Sequence, residues 1–344
     1  MKARYVYITF LASTCLLKLF IPGAMLQQTM TNVRSSHVLS RIQELDATKH
    51  ASSYLGFVIG NQCVGQVHCG LSKLLLEHAA SCFQEKNDGT LHLSSDKDPT
   101  AAMEMATQVL IDHNVIPKRH NDMYPMSSSP THNAVGFINR NAAPYFGITS
   151  IGVHLLCYQK YPQSQSQPQN DVALWMAQRA PTKAHFPSLW DPTVAGGQPA
   201  NLSLWDNLVK EAGEEAGIHP EQLTHAHSVS CLSQMTSKPD GTCLKQSLYY
   251  CWELNVDDTP LEPKAIDGEV AKFELWNSTT LLEEVQSGSR LRPAMRLVIT
   301  DFLIRHGIIT PDAEPDYVAI QTALHRDRLV LWKEPKDNAA DDEN

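Results

Sequence analysis

The sequence predicts an α/β fold in two domains, and three observations carry that prediction. The chain has 344 residues, of which 42% are hydrophobic and 19% charged, enough apolar material for two ordinary cores. Short apolar runs of strand length alternate with longer runs of helical spacing. A Ser/Pro-rich stretch, YPMSSSPT from Tyr124 to Thr131, divides that alternation. The expected order is a leader over 1–35, an α/β domain over 36–135, a second α/β domain over 146–308, a helical extension over 309–330 and an acidic tail over 333–344.

Taken in order, Val38 to Leu45 has the spacing of a short helix. Leu55 to Val67 reads as two strands around an Asn-containing turn, and Leu71 to Ala80 as an amphipathic helix. Asp98-Pro99-Thr100 opens a longer helix to His113, with Thr100 as its expected N-cap. Gly152 to Tyr158 and Val172 to Gln178 are strand-like and flank the polar segment Tyr161 to Asn170, the pattern of a hairpin with a flexible tip. Strands follow at His227 to Ser233 and Leu248 to Leu254, and helices at Thr279 to Val285 and Pro293 to His306. The closing KEPKDNAADDEN has the composition of a disordered tail. No repeat of 20 to 50 residues is present.

Charge and cysteine usage narrow the function. The formal net charge is −9, and no Lys/Arg run offers a track for a phosphate backbone, so nucleic acid is not an expected partner. Eight cysteines (Cys15, Cys63, Cys69, Cys82, Cys157, Cys231, Cys243, Cys251) lie in apolar stretches without CxxC pairs. They read as buried thiols of a reducing compartment. The leader has an apolar run, Tyr5 to Ile21, that Lys18 interrupts, and no small-x-small site follows it. No acid precedes Glu44, whereas Lys2, Arg4, Lys18, Arg34 and Arg41 lie among Ser and Thr, the composition of an organelle transit segment. Import into a mitochondrion or another organelle, or a cytosolic start at Met25 or Met30, is favoured over secretion. Membrane association is not expected outside the leader.

The stretch KEAGEEAGI, Lys210 to Ile218, sets three acids within five residues around Gly213. On a helix Glu214 and Glu215 fall about 60° and 40° to either side of Glu211, so the three carboxylates share one face. Trp205, Leu208, Val209, Ala212 and Ala216 form an apolar arc opposite, and Gly213 on the back offers a close approach to a neighbour. Like charges at these spacings cost a few tenths of a kcal/mol per pair, and an interior glycine about 1 more. A hard divalent cation reverses the electrostatic sign, because carboxylate oxygens are its preferred ligands. The other reading is a solvated acidic face.

The residues before this run decide between the two. AGGQPANLSLWDNLVKEAGEEAGI, Ala195 to Ile218, resembles the Nudix box, G-x5-E-x7-R-E-U-x-E-E-x-G-U with U apolar. Gly196, Glu211, Glu214, Glu215, Gly217 and Ile218 match it, whereas Leu202 stands for its first Glu and Lys210 for its Arg. Those two departures suggest a different brace between loop and helix. RNAAPYFG (Arg140 to Gly147), Gly152-Val153-His154, RAPTKAHFPSLWDPTVAGG (Arg179 to Gly197), Asp267-Gly268-Glu269-Val270 and DFLIRHGIITPDAEPDY (Asp301 to Tyr317) extend the likeness over roughly residues 50 to 327. Together they resemble the thiamine pyrophosphokinase-related Nudix subfamily. The resemblance implies a Nudix α/β/α sandwich with a mixed sheet, preceded by a small α/β domain of unassigned role. It also implies hydrolysis of thiamine diphosphate, or of its oxo- and oxythiamine analogues, to monophosphates.

Cleaving a diphosphate requires neutralising charge on its oxygens and aligning a water. Glu211 and Glu215 are the expected metal ligands, with Glu214 as third ligand or water-orienting base, and Mg²⁺ or Mn²⁺ as the ion. Carbonyls of the Gly196-Gly197 loop are candidates to complete the shell and hold substrate. Glu269 is a second candidate base, or else an exposed turn carboxylate. Arg179 and Lys183 read as phosphate-holding cations or as surface charges. Tyr249, Tyr250, Trp252 and Trp276 read as stacking rings or as core, and His154 as a hydrogen-bonded core residue. The small N-terminal domain is a candidate dimer contact. Isomerase chemistry on an isoprenoid diphosphate needs a Cys in Pro181 to Gly197, and that segment has none. Another diphosphate substrate, a nucleotide sugar or an isoprenoid, or ligand binding without turnover, remains as an alternative, the last motivated by Leu202 and Lys210.

Overall fold

A computed structural model describes residues 37–46, 53–128, 133–160, 171–238 and 241–326. The expected leader, the tip at Tyr161 to Asn170 and the acidic tail lie outside the described residues.

Helix α1 (His37–Gln43) is followed by strands β1 (Tyr54–Ile59) and β2 (Gln62–His68), helix α2 (Cys69–His78), strands β3 (Phe83–Lys86) and β4 (Thr90–Leu93), and helix α3 (Pro99–Asp112). The four strands form a sheet in the order β2-β1-β4-β3, with β1 parallel to β4 and the other pairs antiparallel. Phe57, Leu75, Leu91, Met103, Leu110 and Phe146 fill one core between this sheet and its helices. Helix α3 is capped by Asp98, whose carboxylate accepts from the Ala101 amide at 2.8 Å, and not by Thr100. Pro99 at the first position has no amide to satisfy, so the cap falls one residue before it. The Thr100 hydroxyl instead accepts from the Phe137 amide at 3.1 Å.

Tyr124 lies in β5 (Met123–Met126), which pairs with β6 (Gly136–Asn139) in a two-stranded ribbon. The RNAAPYFG segment then closes a 3₁₀ turn, Ala143–Phe146, that lies backbone to backbone on β2. A Cβ on Gly65 would stand 2.0 Å from the Phe146 carbonyl oxygen, and Gly147 has a φ of +61° with only backbone around it. Only glycine fits at so close an approach. This contact ties the first sheet to the start of the second.

The second sheet comprises β7 (Ser150–Lys160), β8 (Val172–Arg179), β9 (Trp190–Pro192), β10 (Val194–Gly197), β11 (His227–Ser237), β12 (Leu244–Asn255) and β13 (Val270–Asn277). Its order is β11-β12-β7-β8-β13, with β10 on β7 and β9 on β8. Only β7 and β12 run parallel. The first half of β7 pairs with β10 and its last three residues with β8, so the sheet splits along β7. Helix α4 (Leu204–Ala216) covers one face. The other face carries α5 (Ser278–Gln286), α6 (Met295–Arg305) and α7 (Tyr317–Leu324). Helix α1 packs on these last three, and not on the sheet it precedes in the chain. Val38, Leu39 and Ile42 are its buried stripe, worth about 1.5–3 kcal/mol for each side chain fully withdrawn from water.

Two expectations change here, for the cysteines and for His154, and one of the two readings of the aromatics is selected. Cys231 is exposed and Cys63 and Cys69 are half-buried, while Cys82, Cys157, Cys243 and Cys251 are buried, so the thiols are not uniformly interior. Strand position decides this, since apolar neighbours in sequence point to both faces of a strand. Tyr249, Trp252 and Trp276 are buried in the cores and Tyr250 is partly buried, the second of the two readings given for them. His154 is buried, but its Nδ1 has no hydrogen-bond partner among the described residues.

Candidate active site

Helix α4 begins where Ser203 leaves helical geometry and its hydroxyl accepts from the Asp206 amide at 3.0 Å. It ends at Gly217, with φ +65°, where the amides of Gly217 and Ile218 return to the carbonyls of Gly213 and Ala212. Leu208, Ala212 and Ala216 are buried against Val153, Leu155 and Trp252 of the sheet. Trp205 is not part of that stripe: it is 39% exposed, because it lies in the first turn beyond the edge of the sheet partners. Gly213 is also exposed, and a Cβ there would meet only the Ile218 carbonyl oxygen, at 3.8 Å. Close approach therefore does not explain this glycine. Gly213→Ala is expected to raise stability by about 0.5–1 kcal/mol through helix propensity and lost unfolded-state entropy, measured as a higher urea midpoint at unchanged slope.

The three acids separate in space. Glu215 is 9% exposed, and one carboxylate oxygen accepts from the Ala195 amide at 3.1 Å. Burial pushes its carboxyl up to about 8, and no side-chain cation pairs with it among the described residues. Glu211, one turn earlier, is mostly buried, and burial raises its carboxyl as well. Its side chain lies across Gly196: a Cβ there would sit 2.3 Å from Glu211 Cγ and 2.5 Å from Cδ. Glu214 turns outward and is held by Lys210 Nζ at 2.6 Å, while the same ammonium reaches Glu211 Oε1 at 3.3 Å. The shared face expected for the trio thus divides into an inner pair and an outer member. A helical face about 100° wide spans both the sheet contact and the solvent rim, which is why the spacing alone does not separate them.

Among the described residues no three carboxylate, imidazole or thiol groups converge closely enough to hold an ion. The chemistry of Glu211 and Glu215 nevertheless fits a divalent cation. Two carboxylates drawn out of water, one of them without a positive partner, are costly unless a cation joins them, and Lys210 already places positive charge on the first. The glycine cradle allows the Glu211 carboxylate to lie against the β10 backbone. Gly196→Ala is expected to dislodge that carboxylate and lower turnover about tenfold to a hundredfold, while Gly197→Ala, whose Cβ would stand 3.5 Å or more from its neighbours, remains close to wild type. Steady-state rates of the two variants at equal metal concentration check this.

One pocket is lined by Arg179, Lys183, Asp191, Glu215 and Glu269. Lys183 Nζ meets Glu269 Oε2 at 2.6 Å on its rim. Glu269 is half-exposed and its charge acts on both Glu211 and Glu215. Arg179 is committed within the protein: NH1 donates to Asp191 Oδ2 at 2.9 Å, and Nε donates to the Phe186 carbonyl at 3.1 Å. Its guanidinium thereby fastens the loop between β8 and β9, in which Phe186 and Ser188 hold φ of +54° and +61°. Sequence reasoning did not single out Asp191, which lines this pocket, or Arg292, which pairs with it at 2.5 Å. The signal available was the WDP run, an acid between apolar residues in a strand.

The two departures from the box have a structural counterpart. Gln198 Nε2 donates to the Leu202 carbonyl at 2.6 Å, and Asn207 Nδ2 to the Gly197 carbonyl at 3.1 Å. Two neutral amides brace the loop against the helix where the pattern has a charged pair.

A split mixed sheet carries α4 on one face, with an acid pair on that helix beside a glycine strand, and comparison with known proteins identifies the class as a hydrolase of diphosphate bonds. Residues 165–298 match the NUDIX domain model and residues 34–150 match a domain of unknown function, DUF4743. Nudix hydrolase 20, chloroplastic, from Arabidopsis thaliana is 32% identical over 310 residues, covering 85% of this chain and 80% of that protein. Nudix hydrolase 24, chloroplastic, from the same plant is 32% identical over 300 residues, covering 84% and 79%. The chain belongs to the Nudix hydrolase family. No helix among the described residues is long and apolar enough to cross a membrane.

Proposed function

We propose that the protein is a metal-dependent diphosphohydrolase that converts an organic diphosphate to its monophosphate and phosphate, with thiamine diphosphate or its oxidised and toxic analogues as substrates. The observation that carries this reading is the buried Glu215 carboxylate beside Glu211, without a cation of its own, on the helix that follows Gly196. Glu211 and Glu215 would hold Mg²⁺ or Mn²⁺, which would supply Lewis-acid charge to the phosphoryl oxygens. Glu269 is the proposed water-orienting base, a reading supported by its position on the pocket rim beside Lys183, and Glu214 is the alternative in that role. The thiamine assignment is supported by the subfamily motifs, above all RNAAPYFG and DFLIRHGIITPDAEPDY. Location in an organelle is supported by the leader composition and by the chloroplastic relatives.

The test is a comparison of thiamine, oxothiamine and oxythiamine diphosphates with ADP-ribose, following monophosphate formation with Mg²⁺ and with chelator. Preference for the thiamine series, abolished by chelator, is the expected result. Preference for ADP-ribose would replace the substrate assignment and leave the hydrolase. Binding without product under all conditions would favour a regulatory role, which the Lys210 bridge between Glu211 and Glu214 makes the second reading.

A further inference from the structure

Strands β7 and β8 are opposed at Tyr158 and Leu174, Gln159 and Ala173, and Lys160 and Val172, and then diverge. Continuing that register would set Cys157 against Trp175. Instead the hydroxyl of Thr193 stands between the two. It accepts from the Cys157 amide at 2.9 Å and donates to the Trp175 carbonyl at 2.7 Å. In an antiparallel ladder an amide and a carbonyl of opposed strands meet directly. Here one oxygen atom relays the bond, and the sheet opens at that point.

Thr193 is also the residue between β9 and β10, where the chain passes from its pairing with β8 to its pairing with β7. Two residues before it is Asp191, which holds Arg179 at 2.9 Å. Two residues after it is Ala195, whose amide donates to Glu215 at 3.1 Å. Asp191, Ala195 and Glu215 all line the pocket. Thr193 and Cys157 are fully buried, so the hydroxyl is the partner that satisfies the Cys157 amide in the interior. Threonine supplies both functions of the relay, since one hydroxyl donates and accepts at once.

We propose that Thr193 is a positioning residue of the active site: its hydroxyl sets the opening between β7 and β8, and thereby the place of Asp191 and of the Ala195 amide about Glu215. Without the hydroxyl, two outcomes are available to the strands. Cys157 and Trp175 stay apart with a donor and an acceptor unsatisfied, which is costly in the interior, or they close on each other. Either change shifts the segment that carries Asp191 and Ala195. The consequence for cation binding rests on the diphosphohydrolase reading, whereas the consequence for the backbone does not.

The test is amide hydrogen exchange of the full-length protein, followed by NMR, together with its affinity for Mn²⁺ by calorimetry. Thr193→Val keeps the shape and removes the hydroxyl. It is expected to speed exchange at Cys157 and Ala195 tenfold or more, with the amides of β11 and β12 at wild-type rates, and to weaken Mn²⁺ binding tenfold or more. Thr193→Ser, which returns the hydroxyl, is expected to restore both. Mn²⁺ affinity within twofold of wild type in Thr193→Val overturns the positioning role. So does exchange at Ala195 that is unchanged, or that rises together with β11 and β12, since a general loss of stability gives that pattern. If the wild type takes up no Mn²⁺, the metal-dependent reading falls and exchange at Ala195 in the Val and Ser variants decides the role of Thr193. If Thr193→Val does not fold, Thr193→Cys, whose thiol is a weak donor and acceptor, is read by the same criteria.

Discussion

Glu215→Gln abolishes the metal-dependent step while leaving the fold intact. The amide is isosteric and can still accept from the Ala195 amide, which Glu215 meets at 3.1 Å, but it presents no charge to a cation. A bound metal contributes several kcal/mol of charge stabilisation in the transition state, so turnover is expected to fall on the order of 10²- to 10⁴-fold. The stability of the metal-free protein moves the other way. Burial pushes the native carboxyl up to about 8 from the ordinary 4.5. Between those values the unfolded chain has lost the proton that the native protein keeps, so wild-type stability falls as pH rises from 4.5 to 8. The Gln variant lacks this slope. Urea denaturation in chelator at pH 5 and pH 8.5 is expected to show the variant gaining on wild type at the higher pH, and added Mg²⁺ to stabilise wild type alone. A wild type whose midpoint ignores Mg²⁺ at pH 8.5 would contradict this account of the acid pair.

Asp191→Ala removes the other structural charge of the site and is expected to cost about 3–5 kcal/mol, the usual consequence of leaving a buried partner uncompensated. Two guanidinium groups depend on this carboxylate, Arg179 at 2.9 Å and Arg292 at 2.5 Å, and Asp191 itself is only 3% exposed. Asp191→Asn retains a hydrogen-bond acceptor and is expected to lose less. Because Arg179 also holds the carbonyls of His185 and Phe186, the loop carrying Lys183 loosens with it. Faster amide exchange across residues 180–189, together with a lower unfolding midpoint, is the expected pair of observations. A midpoint within 1 kcal/mol of wild type would show that the arginines find other partners.

Which parts of this protein were legible depends on the range of the interaction that decides them. The paired strands at Leu55 to Val67 and the acid helix follow from periodicities of two and 3.6 residues, which adjacent residues impose. The turn at Gly217 is equally local, whereas the cap of α3 falls at Asp98 and not at the expected Thr100. Strands β3, β4, β5, β6, β9 and β10 were not read, because they are three or four residues long and are held by their partners. Strand β13 was missed as well, since VAKFELWN is held on β8, far back in the chain, and mixes charged and apolar residues without strict alternation. The divergence of Glu214 from Glu211 and Glu215 was likewise hidden: all three satisfy one helical face, and the placement of β10 beside Glu211 and Glu215 separates them.

By itself the sequence determined the α/β class, the position of α4, the identity of its acids and the need for glycine at 217, since these rest on spacing and on backbone conformation within a few residues. Tertiary structure alone decided that Glu215 is buried with no side-chain cation paired to it among the described residues, that Arg179 is fastened to Asp191, and that Arg140, from the turn after β6, comes close to Gly197. Burial and charge pairing are properties of what surrounds a residue, and those surroundings are assembled from segments far apart in the chain.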